Sequence, residues 1–118
     1  MSWIGGQKTD FWDRNQKFRY LIMAEIAKRL LEQPELLERG RRYLETHMAP
    51  NAQVAGSYRA WKKIIDRPAE EIVRRWLDDT EEGDTLRANP PLFDVVEGAA
   101  RIRASSEASA WAKNAYRP

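Results

Sequence analysis

Two runs of residues leave this chain little choice of fold class. Val54, Tyr58, Trp61 and Ile65 recur at three- and four-residue spacing, and Ala69, Ile72, Val73, Trp76 and Leu77 do the same after an Asp66-Arg67-Pro68 break. Side chains so spaced share one face of an α-helix, whereas a half-buried strand needs strict alternation. Each run predicts a helix with one core-facing stripe. No strand-like alternation persists elsewhere, and no repeat of fixed period is present. The expected fold is all-α: a compact bundle of four main helices plus a short helical turn, an extended Pro-Pro arm and a C-terminal tail or helix.

The remaining elements follow from punctuation. Gly5-Gly6 marks residues 1–8 as a flexible tail. Thr9 or Asp10 is a candidate cap for a first helix reaching about Glu32, with Asp13 near its positive end. Phe11, Phe18, Ile22, Ile26 and Leu30 form its stripe, widened by Met23, Ala27 and Leu31. From Tyr20 to Ala24 this helix is apolar on nearly every side, so it is either central to the fold or meets a partner. Gln33-Pro34 ends it and opens a second helix carrying Leu36, Leu37, Tyr43, Leu44 and Met48. Gly40 on its apolar side would allow another helix to come close. After Ala49-Pro50-Asn51 comes the third helix, with Asn51 or Ser57 as cap. Pro68 opens the fourth, which the acidic stretch Asp78 to Asp84 ends. Thr80 can cap a short turn over 81–88. Asn89-Pro90-Pro91 forces an extended arm, anchored by Leu92, Phe93, Val95 and Val96. These boundaries divide the chain into a tail over 1–8, a helical domain over 9–96 and a C-terminal helix or partly disordered tail over 97–118.

The chain has 118 residues, 42% hydrophobic and 32% charged, and so is the size of one domain able to bury a core unaided. It has no cysteine, which excludes disulfides and thiolate chemistry and suits a reducing, cytoplasmic setting. No run reaches the ~20 apolar residues that a membrane span requires. No apolar stretch follows Trp3 and Ile4 before Lys8 and Asp10, so no secretory leader is read. Charge is uneven: residues 1–66 hold 12 Lys/Arg against 8 Asp/Glu, and residues 67–104 hold 6 against 9. A mildly basic half thus adjoins a mildly acidic one.

Few residues here suit catalysis. His47 is the only histidine. A metal site or a catalytic pair needs convergent groups, so His47 reads as a helix-terminal residue interacting with the dipole. Asp78, Asp79, Glu81, Glu82 and Asp84 lack the spacing of a calcium loop despite Gly83. They read as a solvated acidic turn, with docking of a basic partner as the alternative. Ser105, Ser106 and Ser109 have no histidine near them in sequence. No enzyme, cofactor or metal is expected. Arg59, Lys62, Lys63, Arg74 and Arg75 are candidate nucleic-acid contacts on the third and fourth helices. Against that stand Glu70 and Glu71, where a reading helix would meet phosphates. Trp111 and Tyr116 stand in a small, polar tail, where they either anchor a partner or fold back on the domain. Trp3 and Trp12 pose the same question at the other end.

Four segments carry a family likeness. Leu37-Glu38-Arg39-Gly40-Arg41-Arg42, Tyr58-Arg59-Ala60-Trp61, Ile65-Asp66-Arg67-Pro68-Ala69-Glu70-Glu71 and Leu86-Arg87-Ala88-Asn89-Pro90-Pro91-Leu92-Phe93 follow in an order and spacing that resembles small helical bacterial antitoxins of toxin–antitoxin pairs. The resemblance spans Pro34 to Val96, about half the chain. It implies a non-enzymatic interaction module that binds and neutralises a cognate toxin enzyme. Arg87, Asn89, Pro91, Leu92 and Phe93 of the arm, with Trp111 and Tyr116, are then the expected partner contacts. The N-terminal aromatic helix and the Ala/Ser tail lie outside the pattern. Operator DNA and a second copy of the chain are further candidate partners, and a small helical DNA-binding regulator is the alternative function.

Overall fold

The computed structural model describes Lys8 and residues 10–91 and 98–115. The described residues are helical without a strand, as the periodicity predicts, but form six α-helices and not four: α1 (Arg14–Glu32), α2 (Leu36–Tyr43), α3 (Ala55–Ile64), α4 (Ala69–Leu77), α5 (Glu81–Ala88) and α6 (Gly98–Ala115). None is long and apolar enough to cross a membrane. Leu92, Phe93, Val95, Val96, Trp3 and Tyr116 lie outside the described residues.

Helix starts are set by side chains that accept the first free backbone amides. Asp13, not Thr9 or Asp10, caps α1 by accepting from the Gln16 amide. The helix therefore begins later than the sequence suggests, and Phe11 and Trp12 precede it. Thr80 caps α5 through the Gly83 amide at 2.9 Å. Asn51 caps a single 3₁₀ turn (Ala52–Val54) leading into α3. Ser57 does not cap; it is buried one turn inside α3. α2 runs on into a π turn (Leu44–Met48), in which the Ala49 amide reaches back five residues to Leu44 O at 2.9 Å. That turn keeps Leu37, Gly40, Leu44 and Met48 buried before Pro50 halts the chain.

The core is where the two founding stripes meet. Trp61 and Trp76 are fully buried and pack edge to face, with ring centroids 5.5 Å apart. Ile64, Ile65, Ile72, Val73, Leu77 and Leu86 close around them. The four buried side chains of α4 alone stabilise the fold by a gross ~10 kcal/mol at ~1.5–3 kcal/mol each.

The expected single broad stripe on α1 resolves into two. Tyr20, Ala27 and Leu30 are buried toward α4. Phe18 and Leu21 share the other face with Arg14, by helical period, and there α6 packs along α1. This accounts for the all-round apolar middle of α1: one helix covers each side. Among its described side chains α6 buries Ala100, Ala104 and Ala108, whose three methyls contribute a gross ~2–3 kcal/mol at ~0.8 kcal/mol each.

Candidate partner-binding cleft

The last carbonyls of a helix have no intrahelical donor, so a buried helix end must borrow donors from elsewhere. α4 borrows from two elements. The Tyr20 hydroxyl donates to Leu77 O at 2.6 Å, and Arg87 Nη1 donates to Trp76 O at 2.8 Å and Asp78 O at 2.7 Å. Arg87 Nη2 also donates to Asp84 Oδ1 at 2.6 Å, and its guanidinium lies 5.5 Å from the Tyr20 ring centroid. Desolvation by this packing is the main cause that pushes the Tyr20 hydroxyl pKa up. α5 is finished in the same manner: Ser57 Oγ donates to Thr85 O at 3.1 Å, and Trp61 Nε1 to Leu86 O at 3.0 Å.

These bonds place the expected contact residues. Arg87 is buried and holds the end of α4. Asn89, half-buried, donates from Nδ2 to Ser57 Oγ at 3.3 Å, and Pro91 is buried. Arg87 to Ala88 belong to α5, so the arm starts at Asn89. Trp111 is half-buried and packs edge-on against Phe11, with centroids 5.6 Å apart, so the C-terminal segment folds back as α6.

The charged candidates separate into paired and open groups. Three of the five acidic residues of the turn are paired: Asp79 receives Lys8 Nζ at 3.3 Å, Glu82 receives Arg75, and Asp84 receives Arg87. Hydrogen bonding to Arg75 holds the Glu82 carboxyl below the usual range, despite partial burial. Lys62 donates to Glu45 Oε1 at 3.1 Å, where Tyr58 also donates at 2.7 Å. Arg59, Lys63 and Arg74 are exposed and make no ion pair with a described residue. The face is therefore mixed in sign, with two of its five cations neutralised. His47 is exposed on the π turn, its ring 4.8 Å from that of Tyr43. Among the described residues, no cluster of three or more His, Asp or Glu could hold a metal ion.

What the tertiary structure does assemble is a cleft of about 850 Å³ between the N-terminal half of α1 and α5. Phe11, Tyr20 and Met23 supply apolar lining, and Asp84 and Arg87 close the α5 side. Phe11 and Tyr20 meet edge to face at 5.3 Å, and Lys8 tethers the entering chain by donating its amide to the Tyr20 hydroxyl at 3.1 Å. Trp12 also lines this cleft and is 85% exposed, although it is the largest side-chain type available for burial. Arg19, exposed on the same side, adds a cation to the rim. Sequence pattern leaves Trp12 open between a partner anchor and a residue folded back on the domain. Its exposure follows from Asp13 ending the helix behind it, which leaves Trp12 outside the periodic stripe.

No family model matches the chain, and neither a curated protein nor a solved structure does.

Proposed function

We propose that this protein is a non-enzymatic interaction module, the antitoxin of a bacterial toxin–antitoxin pair, that binds its toxin through the Trp12 cleft. The exposed Trp12 indole beside a cleft with an aromatic wall and a charged rim is the observation that carries the interaction reading. Large exposed aromatics at a concave site are the residues that anchor interfaces. The resemblance over residues 34–96 supports the narrower antitoxin reading. Arg87 lines this cleft, while Asn89 and Pro91 are engaged within the fold, which supports the cleft as the contact surface.

Co-expression with the product of the adjacent gene tests it. Growth should be rescued and the two proteins should co-purify. Trp12→Ala should abolish both while leaving the helical circular dichroism unchanged. No rescue and no co-purification by the wild-type chain would refute the reading. A second reading, DNA binding, draws support from exposed Arg59, Lys63 and Arg74. It requires salt-dependent binding to promoter DNA that Lys63→Glu weakens.

A further inference from the structure

The buried side chains of α6 are small. Its buried residues contribute one methyl each. Arg14 of α1 donates from Nε to Ser109 Oγ at 2.8 Å and from Nη2 to Ser105, and Trp111 packs on Phe11, just ahead of α1. Of its buried alanines, only Ala100 belongs to the main core cluster. Phe18 and Leu21, on the Arg14 face of α1 by helical period, are half-buried. The contact at the far end reaches the cleft. Phe11 touches Trp111 on one side and Tyr20 on the other, so a ring of the cleft lining is seated in part by α6.

We propose that α6 is a latch: it undocks from α1 as a unit, far more readily than the molecule unfolds, and its docking holds Phe11 in place in the cleft. Segments with few buried apolar contacts open separately from the core that carries most of them. α4, with Ile72, Val73, Trp76 and Leu77 all fully buried, is the internal standard. Undocking bares the Phe18–Leu21 stripe and frees Phe11 at once. The consequence for partner binding rests on the cleft reading above; the latch does not.

Amide hydrogen exchange on the full-length chain tests this, with the double variant Ser105→Ala/Ser109→Ala as perturbation. In the wild type, α6 amides from Ile102 onward should exchange through openings at least about 100-fold more populated than those of Val73 to Leu77, and with little dependence on urea. The variant should raise α6 opening about tenfold, the loss of hydrogen bonds to a guanidinium. It should do so although alanine is the better helix former, so that a change in docking is separated from a change in helix propensity. The Tyr20 and Trp12 ring resonances should shift with it, and those of Trp61 and Trp76 should stay. One shared opening constant and one urea dependence for α6 and α4 would overturn the latch. Loss of α6 protection with unmoved Tyr20 resonances would overturn its link to the cleft. Failure of toxin rescue by the wild-type chain would remove the cleft reading and leave both exchange outcomes as they are.

Discussion

Gly83 and Gly56 sit in the first turns of α5 and α3, and alanine should act on them with opposite sign. An open helical glycine replaced by alanine gains up to ~1 kcal/mol from reduced backbone freedom. A Cβ on Gly56 meets nothing within 4 Å, so Gly56→Ala should stabilise by ~0.5–1 kcal/mol. A Cβ on Gly83 would lie 2.2 Å from Asp78 O and 2.7 Å from Arg87 Nη1. Those two atoms are bonded to each other at 2.7 Å, and Nη1 also serves Trp76 O, so no single side-chain rotation relieves the clash. The start of α5 must move off the end of α4. Overpacking of this kind costs ~1–3 kcal/mol, and weakening a buried bond from a charged donor adds ~1.5–3 kcal/mol. Set against a gain of at most ~1 kcal/mol, the net loss is ~2–4 kcal/mol, or roughly 10 °C in Tm for a domain of this size. Urea unfolding followed by tryptophan fluorescence and circular dichroism measures both variants. A Gly83→Ala protein as stable as wild type, or both glycines shifting stability in one direction, would refute this account of the α4–α5 junction.

Arg87→Ala should cost ~2–3 kcal/mol, because it takes the guanidinium donor from the buried Trp76 O and leaves Asp78 O with the Thr80 amide alone. Arg87→Lys should recover little of that in the same urea titration, since an ammonium lacks the fork that serves Trp76 O, Asp78 O and Asp84 together. Glu82 titrates below its usual range in the fold, so the unfolded chain takes up its proton first as acid is added. Its contribution is thus present above the ordinary glutamate pKa of about 4.3 and is lost as pH falls through the lower folded value. Glu82→Gln should flatten that part of the pH–stability curve, read from urea midpoints between pH 5 and 3. Trp12→Ala should change stability by less than ~0.5 kcal/mol, as expected for an exposed side chain away from the core, while removing partner binding.

The helices were legible because their signals are local. The stripes through Trp61 and Trp76, Pro68 at a helix start, and Thr80 as a cap all act within a few residues, and α4 and α5 formed where they direct. The α1 start was misplaced because Thr9, Asp10 and Asp13 all have capping side chains, and composition does not rank them. The engagement of Arg87 within the fold was not legible for a different reason. An arginine beside two prolines reads the same in sequence whether its guanidinium faces solvent or finishes another helix.

By itself, then, the sequence determined an all-α chain, most of its helix boundaries and the apolar faces that had to be buried, since period, capping and proline geometry are properties of neighbouring residues. Tertiary structure alone decided which groups remained available. It placed Arg87 at the end of α4, drew the acidic turn into ion pairs and folded Trp111 onto Phe11. It also left Trp12 exposed beside a cleft that no single segment encodes. Buried helix ends demand hydrogen-bond donors from wherever the chain brings them, and those pairings, between residues such as Tyr20 and Leu77, exist only once the helices have packed.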